Sequence, residues 1–407
     1  MILIMVVFLG LTPLSGEVAA LTLDEAVSRQ LEVGPVLGLP CEELLGIPRD
    51  LSSLVGALNT NICGRAAPVG GTFPSQSAGG GAATPPTVSG LVQLRADAAR
   101  EKGDGKSDPV NVTVELGKRY GLFLSSDFET LDRDVTTYEG GYDSSVWRLT
   151  IGSDAMITDR LTLGIAFDMS RQAGDFFGGG NFDIDSYGVV GFGIYLPTEE
   201  SFVQFYGGYT LQSHERRRLT AITEIEESSG TITFRTSGQA RTEYDADQYS
   251  AGVQTGYDFL FGGFSIGPRV GLDWVHSKYD TYSEADSSGL GLTFYNDEKK
   301  SLQSSVGLLG TVNASTDFGV VTMQQSVTWK HEFDQDQRNV EVSFVDDTLA
   351  RRFRYQTEKP DRDFYEFNAG LSLILPNGIQ PYVNYRALFG HSYIENYAGT
   401  IGIRVEL

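Results

Sequence analysis

The amino-acid sequence predicts an all-β fold, a twelve-stranded antiparallel barrel that spans a membrane. Three observations lead to this prediction. From residue 114 onwards, segment after segment alternates polar and apolar side chains, which is the period of a strand with two different faces. We count about twelve such segments, an even number. Tight connections alternate with long polar ones, as in outer-membrane barrels with short periplasmic turns and long outer loops.

The strand assignments follow from the alternation within each segment. In the third segment, Leu163, Ile165 and Phe167 share one face, and the residues between them are small or polar. We expect the apolar face to contact lipid and the polar face to line a lumen. The predicted strands are centred near Phe123, Leu149, Ile165, Val190, Phe205, Val253, Val270, Val306, Val327, Ala369, Tyr385 and Ile403.

Two further features are typical of such a barrel. Aromatic residues near the strand ends predict an interfacial girdle. The expected members are Tyr195, Phe202, Tyr257, Phe261, Phe264, Trp274, Trp329 and Tyr382. Four polar stretches, 136–144, 172–181, about 215–245 and 334–361, are interpreted as long irregular outer loops.

Four regions precede the barrel, which is assigned to residues 114–407. Residues 1–20 have the apolar run and small residues of an export signal, although no Lys or Arg precedes the run, which leaves an upstream start open. Residues 21–63 carry short helical patterns, and 64–88 form a Gly/Ala/Pro/Ser linker. Residues 89–104 predict a polar helix with a narrow apolar stripe.

The charge and motif content argue against several functions. With 53 acidic and 31 basic residues the net charge is −22, so no basic face is available for nucleic acid. His331 lacks the second His of a zinc-protease helix, and neither glycine run continues into the Lys-Ser/Thr of a phosphate loop. Asp183 and Asp185 would bind calcium weakly at best. We expect no catalytic site, metal or cofactor.

Polar residues on the predicted inner face are the candidate functional residues. They are Arg148, Asp258, Arg269, Asp273, Glu366, Asn368, Asn384, Arg386, Arg404 and Glu406. In a lumen the charged members would pair with each other or with the polar helix, or they would line water without partners. The helix residues that the lumen would meet are Leu91, Leu94, Arg95, Asp97, Arg100 and Glu101.

From about Lys118 to Leu407 the sequence resembles the twelve-stranded translocator barrel of autotransporters, the type V secretion proteins. The resemblance is carried in order by "GLFLSSDFETLDRD", "GPRVGLDWV", "WKHEFDQD", "PDRDFYEFNAGLSLILPNGIQPYVNYRALFG" and the final "TIGIRVEL". The last stretch resembles the signal read by the barrel-assembly machinery, through Thr400, Gly402, Val405 and Leu407. It departs from the family pattern because Leu407 is not aromatic.

The resemblance implies an outer-membrane protein of a Gram-negative bacterium, in contact with lipids and lipopolysaccharide, assembled by that machinery as a monomer. It also implies that the helix at Ser89–Glu101 threads the pore and joins the barrel to an exported passenger. That passenger is unusually short here. No Asn-Asn pair occurs in Ser89–Asp104, so we expect the chain to stay uncut.

Two functions remain open. In the first, the barrel translocates and displays its own N-terminal segment and has no catalytic activity. In the second, it is a helix-plugged channel or scaffold whose N-terminal element stays periplasmic. A hydrolase with residues in the outer loops is a third, weaker interpretation.

We predict a disulfide between Cys41 and Cys63, because an exported protein folds in an oxidising compartment, where two thiols are expected to pair. The loop they close would stabilise residues 21–63 by about 3 kcal/mol. Mass spectrometry after alkylation without reduction should find both cysteines unlabelled. Labelling at both positions would rule the bond out.

Overall fold

The computed structural model describes residues 120–407 except 137, 199, 223–235, 262, 288–290, 335 and 348–351. The predicted signal peptide, helical element, linker and polar helix lie outside the described residues, and so do Cys41 and Cys63. Within the described part of the chain, no helix is long and apolar enough to cross a membrane.

The described residues form seventeen strands. These are β1 (Tyr120–Arg133), β2 (Tyr142–Thr158), β3 (Leu161–Phe176), β4 (Gly180–Tyr195), β5 (Ser201–Ile222), β6 (Thr236–Tyr257), β7 (Phe259–Phe261), β8 (Phe264–Tyr279), β9 (Tyr282–Ser283), β10 (Leu292–Phe294), β11 (Asp297–Thr316), β12 (Gly319–Glu332), β13 (Asn339–Phe344), β14 (Phe353–Gln356), β15 (Asp363–Ile374), β16 (Ile379–Phe389) and β17 (Ile394–Glu406).

Twelve of these strands close into a ring, which confirms the predicted twelve-stranded barrel. In order around the ring they are β1, β2, β3, β4, β5, β6, β8, β11, β12, β15, β16 and β17, and each pairs antiparallel with its neighbour. The ring closes where β17 pairs with β1, from Gly121 opposite Glu406 to Arg133 opposite Ile394. Each predicted strand centre lies in a different strand of the ring.

The two faces of the wall differ as the alternation requires. Apolar side chains such as Ile151, Phe167 and Ile401 are exposed on the outer face, with 57–59% of their surface accessible. Positions between them point inward and are buried, such as Thr150 and Ala166, each 1% exposed. The outer face therefore has the composition that contacts lipid in a transmembrane barrel.

The connections divide into two rims. The turn rim carries residues 159–160, 196–200, 258–263, 317–318 and 375–378. The loop rim carries residues 134–141, 177–179, 280–296, 333–362 and 390–393, and β5 ends and β6 begins there. In outer-membrane barrels the short turns face the periplasm, so we place the loop rim outside the cell. The alternation of short and long is not strict, because 177–179 and 390–393 on the loop rim are as short as turns.

Three of the four stretches that were interpreted as irregular loops, 172–181, 215–245 and 334–361, are more ordered than predicted. β3 and β4 continue to a tight connection at 177–179, β5 runs to Ile222, and β6 begins at Thr236. The stretch 334–361 contains β13 and β14. These strands continue beyond the apolar outer band. There the outer face of β3 and β4 is polar, as at Asp175 and Asp183, and the inner face carries Phe176 and Phe182, whereas β5 has charged residues on both faces. The apolar-out alternation that identifies a strand is therefore reversed or lost although the strand continues.

The predicted aromatic girdle is correct at six of its eight positions. Tyr195, Tyr257, Phe261, Phe264, Trp274 and Trp329 are outward and 37–63% exposed. Phe202 and Tyr382 point into the lumen instead, with 0% and 7% of their surface accessible. Both lie on the inner-facing parity of their strands, which decides the direction of a side chain whatever its chemistry.

Gly402 lies under an aromatic ring of the neighbouring strand. It pairs with Tyr382, and a Cβ at this position would overlap the Tyr382 ring. Gly402→Ala should therefore destabilise the barrel by about 1–3 kcal/mol, the usual cost of overpacking. Urea unfolding of the refolded protein in micelles, followed by tryptophan fluorescence, would measure this change.

Gly399→Ala is the matched control, because it lies on the same strand and its Cβ would meet nothing within 4 Å. Equal stabilities of the two variants would show that the ring imposes no constraint at Gly402.

Candidate functional site

The structure brings the predicted inner-face residues into one lumen. Nine of the ten lie at inward positions of the ring strands, namely Arg148, Arg269, Asp273, Glu366, Asn368, Asn384, Arg386, Arg404 and Glu406. Asp258 lies in the turn between β6 and β7, where it is 2% exposed. The predicted helix residues Leu91, Leu94, Arg95, Asp97, Arg100 and Glu101 lie outside the described residues.

Near the turn rim, Arg404 is the centre of a buried charge cluster. Its guanidinium is 0% exposed and lies 3.1 Å from Asp154 Oδ1 and 2.6 Å from Glu406 Oε1. It also reaches Gln380 Oε1 at 3.5 Å. The cluster joins β2, β16 and β17, and so holds the seam region together from the inside. Asp154 and Gln380 were not predicted, although both have the inward parity of their strands.

A second ion pair lies beside an aromatic layer. Arg269 pairs with Asp258, and its guanidinium carbon lies 4.8 Å above the centre of the Phe202 ring. The layer consists of the inward side chains Phe123, Phe192, Phe202, Tyr206 and Tyr382, which pack together with Ala166, Val190 and Ile194. The lumen was expected to be polar. This half of it is instead narrowed by aromatic rings.

A polar belt crosses the middle of the lumen. Lys330 Nζ lies 2.9 Å from Glu366 Oε2, and Arg386 lies 3.2 Å from Glu129 Oε2. Asn368 Nδ2 donates to Glu366 at 2.9 Å. Between β5 and β8, the Tyr206 hydroxyl donates to Asp273 at 2.9 Å. These charged groups therefore have partners within the barrel wall itself.

Glu129 and Lys330 were also missed by sequence reasoning. Glu129 continues the inward row of Ser125 and Asp127 on β1, so the signal was present in the parity of that segment. Lys330 follows the same rule on β12. Lys330 reaches Glu366 on the neighbouring strand β15, and Glu129 reaches Arg386 two strands away across β17. Which strands become neighbours is set by the ring, and a local pattern does not contain it.

The loop-rim end of the lumen combines an apolar cluster with an aromatic stack. Leu131, Tyr142, Phe176, Phe182, Ile184, Phe364, Leu388 and Ile394 pack on the wall formed by β15 to β17 and β1 to β4. On the opposite wall the His214 ring lies parallel to Tyr244 at 4.7 Å between centres, and Tyr244 lies parallel to Tyr282 at 3.9 Å.

A titratable residue lies at the rim of this end. His391, in the connection 390–393, lies 3.2 Å from Asp361 Oδ2. Burial lowers the pKa of His391 to about 4, with Arg133 acting in the same direction and Asp361 opposing it. The imidazole is therefore neutral at physiological pH.

The described residues offer structural ion pairs and no evident reaction centre. They contain no group of three or more His, Cys, Asp or Glu side chains that could hold a metal ion. Asp183 and Asp185 lie on the outer face of β4, and Asp183 pairs with Arg171 at 2.9 Å. These side chains can line and partly fill a passage through the barrel, and their ion pairs can stabilise its wall.

Comparison with known proteins gives consistent matches over the barrel. The family model "Autotransporter beta-domain" matches residues 122–386. Outer membrane protein A of Rickettsia conorii is 22% identical over 315 residues, which cover 74% of this chain and 15% of that protein. The chain thus spans only a small part of the length of the curated relative.

Two solved structures share the fold. The translocator domain of the autotransporter NalP from Neisseria meningitidis is 13% identical with a TM-score of 0.53, covering 79% of this chain and 97% of that one. The beta domain of the Bordetella autotransporter BrkA is 16% identical with a TM-score of 0.50, covering 71% and 100%.

The Arg404 cluster generates a stability prediction. Asp154→Asn removes one of the two carboxylates that compensate a fully buried guanidinium, so the barrel should lose about 3 kcal/mol of unfolding free energy. The control is Asp183→Asn, which breaks an outer pair whose arginine is 62% exposed and should cost at most about 1 kcal/mol. Urea unfolding of both variants measures the difference. Equal losses would contradict the central role of the Arg404 cluster.

Proposed function

Because the chain belongs to the autotransporter beta-domain family, we propose that its barrel translocates its own N-terminal segment across the outer membrane and displays it, without catalytic activity. The protein is an outer-membrane β-barrel of a Gram-negative bacterium. The proposal concerns the finer question of what the barrel carries and how.

The observation that supports the proposal most directly is where the described chain begins. β1 starts at the turn rim, and the backbone N–H of Leu407 donates to the carbonyl of Tyr120 there at 2.9 Å. The turn rim is expected to face the periplasm. The 119 residues before Tyr120 therefore join the barrel on that side. To reach the cell surface they must pass through the lumen.

The chemistry of the lumen fits the predicted helix at Ser89–Glu101. A helix of this length is about 20 Å long, close to the roughly 25 Å height of a barrel's apolar band. Its stripe of Leu91 and Leu94 would suit the aromatic layer, and its charged residues would suit the polar belt. We propose that this helix occupies the lumen once the segment before it is outside.

The final strand supports the proposed assembly by the barrel-assembly machinery. The outer parity of β17 contains Val405, Leu407 follows the strand on the same parity, and the inner parity contains Thr400 and Gly402. The Thr400 hydroxyl donates to Asp127 at 2.5 Å, and Gly402 lies under Tyr382. The signal residues would thus reach their final contacts only when β17 pairs with β16 and β1. We propose a monomer that contacts lipid and lipopolysaccharide along its outer face.

A plugged channel or scaffold with a periplasmic N-terminal element is the second candidate. It is favoured by the covered loop rim, where β9, β10, β13 and β14 form a separate four-stranded sheet.

An epitope tag after Ala20 separates the two candidates. Under the proposal, external protease should remove the tag from intact cells, because the segment is displayed. A tag after Asp346 on the loop rim should also be cleaved, and a tag after Asn377 on the turn rim should be protected. Protection of the Ala20 tag together with cleavage at Asp346 would overturn display and support the periplasmic alternative.

A further inference from the structure

We infer that the two longest described connections of the loop rim fold into one lid that closes the outer mouth of the barrel. The lid comprises the described residues of 280–296, with β9 and β10, and the described residues of 333–362, with β13 and β14. This inference goes beyond the proposed function, because it concerns the outer mouth when no exported segment crosses it; an exported segment would have to displace the lid.

The lid is a folded unit and not two separate loops. β10 pairs with β9 on one side and with β13 on the other, and β13 pairs with β14, so strands from both connections form one sheet. Phe294, Val340 and Val342 form its own apolar core at 0–2% exposure. A unit with its own core can leave its seat without unfolding.

The lid is seated on β5 and β6 by a buried ion pair. Arg218 Nε donates to Glu284 Oε1 at 2.8 Å, and Arg218 Nη2 donates to Glu284 Oε2 at 2.5 Å. Both side chains are at most 4% exposed. The backbones of Arg241 and Ala285 exchange hydrogen bonds of 2.9 and 2.8 Å. The stack of Tyr244 on Tyr282 lies beside them. This contact is defined here as the first seat.

The lid is seated again on the connections next to β1 and β17. The backbone N–H of Glu358 donates to Glu139 Oε2 at 3.2 Å, and Glu139 also pairs with Arg133 of β1. The Tyr393 hydroxyl donates to the carbonyl of Lys359 at 2.7 Å. Asp361 accepts hydrogen bonds from the backbone and the hydroxyl of Ser392. This contact is the second seat.

The two seats lie on opposite sides of the mouth. β6 is the sixth strand of the ring and β17 is the twelfth, so they face each other across the lumen. Between the seats, Arg338 of the lid lies 2.9 Å from Asp297 at the start of β11. A sheet that is fixed at opposite walls and at one point between them spans the opening. A solute that enters or leaves through the mouth must therefore displace it.

The buried ion pair of the first seat should hold the lid in place more strongly than packing contacts between loops alone. Truncating Glu284 would leave Arg218 inside the protein without its bidentate partner, which is strongly unfavourable. Without Glu284 the lifted position of the lid should be favoured, because water could then hydrate the Arg218 guanidinium. At the second seat the partly exposed carboxylate of Asp361 accepts the two hydrogen bonds from Ser392, so its removal takes away contacts of the lid without leaving a buried charge.

Single-channel conductance in planar bilayers tests the lid separately from the proposed helix. Four proteins are compared: the full chain, the full chain with Glu284→Ala and Asp361→Ala, the chain without residues 89–104, and that deletion with both substitutions. Both substitutions together should raise the conductance of the deleted chain at least about tenfold, because water would then fill the barrel along its whole length.

The outcomes distinguish the two ideas. Current from the double substitution in the full chain would support the lid and overturn the helix as a plug. Full current from the deletion alone, with no further rise on substitution, would overturn the lid. Low current from all four would also overturn it, because the closure would lie elsewhere. Heat-modifiable mobility on gels confirms that each barrel is folded.

Two further variants sharpen the test. Glu341→Gln is the matched control, because Glu341 pairs with the exposed Arg352 and Arg354 within the lid. It should leave the conductance unchanged. Arg241→Cys with Ala285→Cys, in the doubly substituted deletion with Cys41 and Cys63 replaced by Ser, should close the pore on oxidation and reopen it on reduction. The antiparallel pair places these Cα atoms about 5.5 Å apart, within the span of a disulfide. A pore that stays open after complete cross-linking would contradict the lid.

Discussion

The whole structure depends on one constraint, which is that no backbone N–H or C=O can remain unpaired in the hydrocarbon of a membrane. A sheet meets this constraint only by closing, so the pairing of β17 with β1 is a condition for the other eleven pairings to be useful. Closure fixes the inside and the outside of every strand at once. It is why Arg404, Phe202 and Tyr382 all point inward although their chemistries differ.

Much of the wall could be predicted from the sequence, because the pleat gives each segment a period of two and lipid selects apolar side chains on one face. All twelve strand centres and the tight turns were accessible in this way. The upper parts of β3 to β6 were not, because above the membrane the outer face is polar and the inner face is apolar or charged, so the contrast that marks a lipid-facing strand is reversed or absent. Phe202 shows a different failure, in which residue type was given more weight than strand parity.

For the lumen, the sequence predicted which residues point inward but not which of them contact each other. Inward parity identifies Arg269, Glu366 and Arg386 as lumen residues, but their partners are set by which strands become neighbours or face each other across the ring. The aromatic layer was missed because a water-filled interior was assumed. A twelve-stranded ring is narrow, so its side chains come close enough to pack, and rings such as Phe123 and Phe192, 6.0 Å apart, reduce the open section.

The unequal heights of the strands have a consequence for the lid. β5 and β6 each have 22 residues, and at about 3.3 Å per residue with a tilt of about 40° they rise roughly 55 Å, twice the thickness of the apolar band. The wall on this side thus extends far above the lipid, and the first seat lies at its upper end. The ion pairs of the first seat therefore lie above the membrane, close to the aqueous medium and its salt. The lid, and not the membrane-embedded wall, is the part of the protein that extends furthest from the cell.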